Sequence, residues 1–437
     1  MGTDRTNRLR ERAHALIPAG AHTYAKGDDQ FPEEAPGFIA RGAGSHVWDV
    51  EGREYIEYGS GLRAVTLGHA FAPVVEAARR TLELGVNFSR PSPIEVDCAE
   101  QFLAAVPTAE MVKFCKDGSH AVDGAIRLAR AYTGRDIVAI CGDHPFFSTS
   151  DWFIGTTQMN AGIPQSSRDL VVTFRYNDLP SLQAVFDRHD GRIACVIMEA
   201  ARTEEPAPGF LEGVRELTRR NGAVLVFDEM ITGFRWHRHG AQHLYGVTPD
   251  LSAFGKGLAN GFSVSALAGR RDLMRLGGND HDRERVFLLS TTHGAQTHEL
   301  AAAIATMRVY ESEPVVETLY ARGKRLRDGI RAAAEAAGVQ AQLGVSSRDC
   351  NLLFYTLDAQ GKPSQPYRTL FMQELVARGV IAPSFVVGYS HTIADIDATV
   401  EAVHAAARIY RQALDDGPER FLRGRPVQPV FRKYARG

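Results

Sequence analysis

The chain has 437 residues, of which 44% are hydrophobic and 23% charged, a composition typical of a globular protein rather than a disordered or fibrous one. Fifty basic residues against 52 acidic ones give a net charge of −2, so no global positive charge favours nucleic acid or an anionic membrane as a partner. The five cysteines are scattered without a CxxC pair, and neither a leader peptide nor a run of about 18 apolar residues is present. We therefore expect a cytoplasmic protein that is neither disulfide-bonded nor membrane-spanning.

Three segments with different patterns follow one another along the chain. Residues 1–70 form an arm and a small β-unit, whose alternating pattern around Glu51-Gly52 predicts a hairpin. In residues 71–310, short apolar runs alternate with helical patterns, which predicts a large domain with a mostly parallel, doubly wound sheet. Residues 311–437 predict a smaller α/β domain. The predicted strands of the last two segments include 137–141, 194–200, 223–230, 350–357 and 378–384, and the predicted helices include 121–134 and 213–222.

A Gly-Ser loop joins a predicted strand to a helix in the segment FCKDGSHAVDGAIRLAR (114–130). Gly118 allows a ligand to approach the backbone. The Ser119 hydroxyl, the amides of Ser119 and His120 and the helix N-terminus could together bind an anion. The alternative is an ordinary helix capped by the serine.

Two carboxylates, Asp228 and Glu229, end a predicted buried strand. A buried carboxylate is costly unless it meets a cation or hydrogen-bond donors, so Asp228 could hold a protonated ring nitrogen. The alternative is a helix cap or a structural salt bridge.

Lys256 stands between Gly255 and Gly257 in an apolar, Gly-rich segment, and it is one of only seven lysines among the 50 basic residues. A desolvated lysine has a lowered pKa and can form a Schiff base with an aldehyde. A surface lysine in a loop is the alternative. Farther along, the Ser/Thr/His-rich loop 288–300 could bind phosphate through its hydroxyls.

Other classes of site have weaker support. His237, His239 and His243 lie close in sequence, but no HExxH motif is present and Gly240 interrupts a helix there, so we expect no metal site. The absence of a Walker A motif, a GxSxG elbow and a GxGxxG fingerprint argues against an NTPase, a serine hydrolase and a dinucleotide-binding protein.

The ordered set GSHAVDGAIRLARAYTGR, FDEMITGFR and TPDLSAFGKG, with Lys256 28 residues after Asp228, resembles class III aminotransferases, in particular the glutamate-1-semialdehyde aminomutase-like branch. The resemblance spans about residues 15–400. It implies an α/β fold of the PLP-dependent fold type I, with a mostly parallel seven-stranded sheet in a large domain and a smaller α/β domain. It also implies the cofactor pyridoxal 5′-phosphate (PLP) and a homodimer with shared active sites.

The resemblance assigns roles to specific residues. It implies that Lys256 binds the cofactor aldehyde and shuttles the proton, that Asp228 pairs with the pyridine nitrogen, and that Met230 packs on the ring. Gly118 and Ser119 occupy phosphate positions.

Further cofactor positions follow from the same resemblance. Thr291 and Thr292 match the threonine that reaches the phosphate from the neighbouring subunit, and Glu199 matches a strand-end glutamate. His144 and Phe146 are the candidates for the aromatic ring that stacks on the cofactor.

Two departures concern the substrate. Lys26 stands where the aminomutase branch carries an arginine for the substrate carboxylate, and Val386 stands where the branch has a glutamate. Lysine keeps the charge but loses the bidentate fork. Arg63 is a candidate replacement, with a surface or interface arginine as the alternative.

These observations predict an aminotransferase that moves an amino group from an amino-acid donor to a small oxo (keto or aldehyde) acceptor, by a ping-pong cycle through pyridoxamine phosphate. The principal alternative is an intramolecular aminomutase. Racemase or decarboxylase chemistry uses the same electron sink, and a PLP-binding protein without turnover is a further alternative.

Overall fold

The computed structural model describes residues 4–144 and 146–434. The chain forms two compact units: the large unit comprises Ala72–Val316, and the small unit combines Met1–Phe71 with Glu317–Gly437. The first and last segments predicted from the sequence thus contribute to the same unit, and their division into separate domains stays a prediction.

The helices and strands are numbered in chain order. The strands are β1 (Ile39–Ala43), β2 (His46–Asp49), β3 (Glu54–Glu57), β4 (Met111–Cys115), β5 (Ile137–Cys141), β6 (Val171–Phe174), β7 (Ile193–Met198), β8 (Val224–Asp228), β9 (Leu251–Phe254), β10 (Ser265–Gly269), β11 (Leu343–Ser346), β12 (Leu353–Thr356) and β13 (Val380–Ile381). The helices are α1 (Asp4–Leu16), α2 (Ser60–Arg63), α3 (Ala72–Leu82), α4 (Pro93–Ala105), α5 (Gly118–Thr133), α6 (Asp151–Ile154), α7 (Gln165–Asp169), α8 (Leu179–Arg188), α9 (Phe210–Arg220), α10 (Ala241–Leu244), α11 (Arg271–Met274), α12 (Thr297–Ser312), α13 (Val315–Ala336), α14 (Gln365–Val376) and α15 (Ile393–Asp416).

The large unit is built on a seven-stranded sheet with the order β4-β10-β9-β8-β7-β5-β6. Only β10 runs antiparallel to its neighbours; the pairs from β9 to β6 are all parallel. The predicted seven-stranded, mostly parallel sheet is therefore confirmed. The carboxyl ends of β4, β5, β7, β8 and β9 lie along one edge, where a ligand site is expected in such a fold.

The central strands are buried on both faces, which explains their continuous apolar sequences. Every residue of β5, β7 and β8 is buried. Helix α5 packs its apolar side, including Ala121, Ala125 and Leu128, in the same hydrophobic core as strand residues such as Val138 and Val226. This packing fixes the helix N-terminus at the carboxyl edge of the sheet.

The small unit contains a four-stranded sheet, β1-β2-β3-β13, and the two-stranded sheet β11-β12. Strands β2 and β3 form the predicted antiparallel hairpin, and β13 adds to β3 in parallel. Residues of α13, α14 and α15, such as Ile330, Phe371 and Tyr410, form the core of this unit. No helix among the described residues is long and apolar enough to cross a membrane.

Candidate active site

Three loops at the carboxyl edge of the large sheet carry the principal candidates. Asp228 is the last residue of β8 and lies opposite Ala253 of β9. Lys256 follows β9 after one intervening glycine, and Gly118 begins α5 shortly after β4. The order of the strands therefore brings residues that are far apart in sequence to the same edge.

Asp228 is a buried carboxylate with a single hydrogen bond donor from the backbone. It is 3% exposed, and the Met230 amide donates to its Oδ1 at 2.8 Å. Burial raises the pKa of Asp228 to about 6, while the positive charge of Lys256 and the Met230 amide act in the opposite direction. A buried cation would stabilise this carboxylate, and a protonated ring nitrogen is such a cation.

Lys256 is held in an uncommon backbone conformation. Its φ of 46° lies in the left-handed region, which is uncommon for a residue other than glycine, and it begins the short 3₁₀ turn Lys256–Ala259. Such strain clusters at functional sites because the surrounding structure must hold it.

Met230 packs between the two glycine loops. A Cβ atom at Gly255 would lie 2.6 Å from Met230 Sδ and would also collide with Ser265 Oγ, and a Cβ atom at Gly118 would lie 2.9 Å from Met230 Sδ. Only glycine lets both loops approach the thioether this closely. The Met230 side chain thus brings the loops of Gly118 and Gly255 together, and the shared role of Met230, Gly118 and Lys256 at a cofactor stays a prediction. Ser265 is a neighbour that sequence reasoning missed because serine in a strand carries no distinctive signal.

The N-terminus of α5 was interpreted from the sequence either as an anion site or as a helix end capped by serine. In the structure, an aspartate caps it instead. The capping residue is Asp117, whose Oδ1 accepts the His120 amide at 3.0 Å, so the expectation of a serine cap is wrong. The His120 amide is therefore already used and is not available to an anion. Ser119 Oγ accepts a hydrogen bond from the Thr149 amide at 3.1 Å.

His144 and Glu199 meet at the ends of β5 and β7. The Glu199 amide donates to His144 Nδ1 at 3.0 Å, and both residues are buried. Burial lowers the pKa of His144 to about 3, with a smaller contribution from Arg202, so the ring is neutral. Phe146 is 43% exposed and packs instead against Phe153, with ring centroids 5.4 Å apart.

Asp123 holds the loop that follows β5. Its Oδ1 accepts from Ser148 Oγ at 2.8 Å and from Trp152 Nε1 at 2.6 Å, and its Oδ2 accepts from Ser150 Oγ. Sequence reasoning missed this residue, although a lone carboxylate in the otherwise apolar stretch 121–126 was a signal. The Ser119–Thr149 hydrogen bond connects the same loop to the start of α5.

We expect Asp123→Ala to lower the free energy of unfolding by about 2–4 kcal/mol, because it leaves three donors without their charged acceptor. Urea denaturation followed by tryptophan fluorescence measures this loss. Asp123→Asn is the matched control, since its amide oxygen still accepts hydrogen bonds, and it should lose clearly less. Equal losses in the two variants would contradict an acceptor role for Asp123.

The threonine loop is exposed in the single chain. Thr291 and Thr292 both lie at the surface, and the Thr292 carbonyl accepts a hydrogen bond from Asn87 Nδ2 at 3.2 Å. Exposure is the property that side chains reaching a neighbouring subunit must have. Their contact with a phosphate stays a prediction.

The two candidate substrate residues belong to the small unit. Arg63 donates from Nε to Asn351 Oδ1 at 3.0 Å and from a terminal nitrogen to Ser384 Oγ at 3.4 Å. Lys26 is exposed, and its amine makes no ion pair within residues 4–144 and 146–434. Both roles stay predictions.

The three histidines 237, 239 and 243 form a cluster of rings whose centroids lie 4.5–5.2 Å apart. His239 Nδ1 contacts the Ala105 carbonyl, and its Nε2 accepts from Arg238 Nε at 3.0 Å, so both ring nitrogens are engaged. In the part of the chain that the structure describes, no group of three or more His, Cys, Asp or Glu residues is arranged to hold a metal ion.

Comparison with known proteins decides the family. The model of the class III aminotransferases matches residues 29–347. This chain belongs to that family. The family uses PLP, and the donor set described above fits this cofactor: a buried carboxylate whose pKa is raised by burial, a nearby lysine, and glycine loops in which a side chain would collide with Met230.

The chain is similar to several members of the family. It is 35% identical over 430 residues to the glutamate-1-semialdehyde 2,1-aminomutase of Syntrophobacter fumaroxidans, covering 92% of this chain and 97% of that protein. The structure of the FumI protein of Sphingopyxis sp. MTA144, in its PLP internal aldimine form, is 30% identical with a TM-score of 0.86, covering 97% and 99% of the two chains. An omega-transaminase from Sphaerobacter thermophilus is 27% identical with a TM-score of 0.83, covering 93% and 98%. This chain is thus a PLP-dependent class III enzyme of fold type I.

Proposed function

We propose that this chain is an aminotransferase that moves an amino group from an amino-acid donor to a small oxo acceptor. The observation that supports it is the buried Asp228 carboxylate beside Lys256 at the carboxyl edge of the sheet. When bound, PLP supplies an electron sink for the bonds at the substrate's amine-bearing carbon.

The chain's own residues supply binding and proton transfer. Asp228 would hold a proton on the ring nitrogen through its negative charge, and burial would strengthen this interaction. Lys256 would bind the cofactor aldehyde, and its free amine would move a proton at the substrate carbon. Gly118 and Ser119 lie where backbone amides at the start of α5 can hold the phosphate, and neutral His144 offers a flat ring.

Two residues of the small unit favour transfer between two substrates over the aminomutase reaction. Lys26 replaces the arginine of the aminomutase branch, and buried Val386 replaces its glutamate. The loss of that carboxylate argues against the substrate of the aminomutase branch.

The second candidate is an intramolecular aminomutase. It is favoured by the names of the similar curated proteins, which are glutamate-1-semialdehyde 2,1-aminomutases at 33–35% identity over more than 90% of this chain. These names favour the aminomutase over the aminotransferase. The residues Lys26 and Val386 favour the aminotransferase.

An experiment in which the enzyme receives only one substrate distinguishes the aminotransferase from the aminomutase. We expect the PLP-loaded enzyme, given a panel of amino donors without acceptor, to convert its cofactor to the amine form and to release one oxo product per active site, as followed by absorbance and mass spectrometry. Glutamate-1-semialdehyde alone should then give no net isomer. Isomerisation of this compound without a second substrate, and no discharge by any donor, would establish the aminomutase instead.

A further inference from the structure

Lys116 directly precedes the helix cap Asp117 and the Gly118–Ser119 loop of the large unit. Its amine reaches the start of α12, where it forms an ion pair with Glu299 and donates to Gln296 Oε1 at 2.6 Å. The side chain is only 23% exposed, so these neighbours largely cover it. Lys116 therefore connects the loop after β4 with a helix that begins about 180 residues later in the sequence.

Glu299 is the carboxylate that this amine compensates. It is buried and lies in the first turn of α12, where the positive end of the helix dipole also favours a negative charge. A carboxylate at this depth is costly without a cation. The pair with Lys116 thus stabilises the fold, and three further contacts around Lys116 point to a second role.

The first contacts fix the start of α12, to which the Lys116 amine is tied. Thr297 is buried, its hydroxyl donates to the Gly85 carbonyl at 2.8 Å, and its amide donates to the Val86 carbonyl at 3.2 Å. Helix α12 also packs against α3, α4 and the Lys256–Ala259 turn. The amine of Lys116 is therefore attached to a well-packed part of the large unit.

The backbone of Lys116 makes a second connection. Ser263 Oγ donates to the Lys116 carbonyl at 2.7 Å. Ser263 lies on the segment that starts at Lys256 and leads into β10. Lys116 thus ties the Gly118–Ser119 loop both to α12 and to the segment that carries the candidate cofactor lysine.

The Gly118–Ser119 loop offers an anion few donors, so its position matters. The first amides of a helix have no partner within the helix, but here Asp117 already accepts the His120 amide. Ser119 Oγ accepts from the Thr149 amide at 3.1 Å, which leaves the hydroxyl proton to donate elsewhere. A phosphate at this helix end would depend on Gly118 and Ser119, which follow the tied residue by two and three positions.

We propose that Lys116 is a positioning residue for the cofactor phosphate: through Gln296 and Glu299 it sets the place of the Gly118–Ser119 loop, without touching the cofactor itself. Loss of the amine should let the loop shift, and the cost should fall on the binding of the phosphate group. The inference rests on the phosphate role that the proposed function gives to Gly118 and Ser119, and not on the choice between amino transfer and isomerisation.

The test compares PLP with pyridoxal, which lacks the phosphate. Both are titrated into the cofactor-free wild type and variants, and tryptophan fluorescence gives the ratio of the two dissociation constants. We expect Lys116→Met to reduce the preference for PLP about tenfold or more, the loss expected when a hydrogen bond to a charged group is misaligned. Lys116→Arg should retain most of the preference, because it keeps the cation and its reach. An unchanged preference in Lys116→Met would overturn the proposal.

Arg215→Met is the control for a general loss of stability. Arg215 pairs with the buried Asp250 at 2.8 Å, and Asp250 directly precedes β9, at the opposite end of this strand from the candidate site. We expect this variant to be less stable in urea denaturation, as Lys116→Met should be, but to keep the wild-type preference for PLP. If it loses the preference as Lys116→Met does, the loss reflects lower stability alone and the proposal is wrong.

A double variant keeps the test decisive if Lys116→Met does not fold. Lys116→Met combined with Glu299→Gln removes both charges, so that no buried charge is left without its partner. The double variant should recover stability but still show a reduced preference for PLP, because the connection to α12 is missing. A wild-type preference in a folded double variant would contradict the positioning role.

Ser119→Ala separates this outcome from that of the proposed function. We expect it to lower the preference for PLP as well. If Ser119→Ala lowers the preference and Lys116→Met does not, the phosphate role of Ser119 is supported and the positioning role of Lys116 is wrong. If neither variant changes the preference, the phosphate binds elsewhere and both assignments are wrong. Discharge of the PLP-loaded wild type by amino donors is measured separately and bears on amino transfer alone.

Discussion

Lys256→Ala is expected to reduce amino transfer by at least about 10³–10⁴-fold, because it removes both the amine that binds the cofactor and the base that moves the proton. The left-handed backbone at Lys256 and the electrostatic interaction of its amine with Asp228 support this expectation. The same variant should lose covalent attachment of the cofactor. Borohydride reduction of the wild type, followed by peptide mass spectrometry, should give a PLP adduct on the peptide that contains Lys256 and none in the variant.

Lys113→Ala is the matched control for this result. Lys113 lies on β4 of the same unit and is exposed, so its loss should change neither the rate nor the adduct. An adduct on a different lysine in the wild type, or a Lys256→Ala enzyme with near-normal rates, would show that the candidate site is wrong.

Asp228→Asn is expected to reduce amino transfer by about 10²–10³-fold, because a neutral amide cannot hold a proton on the ring nitrogen by charge. In the cofactor-free protein, by contrast, the same substitution should be favourable, because it should increase the free energy of unfolding. Burial raises the pKa of Asp228 from 3.8 to about 6, so the ionised carboxylate destabilises the folded state above pH 6. The ionised carboxylate therefore lowers the free energy of unfolding by about 3 kcal/mol, since each pKa unit corresponds to about 1.4 kcal/mol.

The difference in stability between Asp228→Asn and the wild type should depend on pH. At pH 8 the cofactor-free Asp228→Asn protein should be the more stable by up to about 3 kcal/mol, and the advantage should shrink as the pH falls through 6 and vanish near 4, where wild-type Asp228 is protonated. Urea denaturation of both proteins across this range measures it. A wild-type rate in Asp228→Asn would contradict the role of the carboxylate, and a stability difference that is independent of pH would contradict its buried charge.

Glu229→Gln is the matched control, because Glu229 is the adjacent buried carboxylate but has a structural role. It accepts the Ala241 and Gln242 amides at 2.8 Å each, and the Thr232 hydroxyl also donates to it. We expect this variant to be less stable than the wild type and to retain bound cofactor. The sequence motif offered both carboxylates at the strand end, and the hydrogen bonds distinguish them.

The sequence by itself determined the architecture of the large unit and the two central residues of the candidate site. Strands such as β5, β7 and β8 are buried on both faces and therefore appear in the sequence as continuous apolar runs. Lys256 was recognisable because lysines are rare in this chain and this one lies between glycines, and Asp228 because a carboxylate at the end of a buried strand requires a partner. These are local properties, and local sequence is sufficient to express them.

Only the tertiary structure decided which neighbours complete the site. That Asp117 rather than a serine caps α5, that Asp123 holds the loop after β5, and that Met230 packs between the loops of Gly118 and Gly255 all depend on how side chains pack across strands that are distant in sequence. The ion pairs of Asp29, Glu33 and Glu34 with Arg432, Arg425 and Arg423 join residues that are about four hundred positions apart in the sequence. Periodicity and motif spacing report short-range preferences, whereas ion pairs and cavities between distant segments depend on the packed fold, so they could not be derived from the sequence.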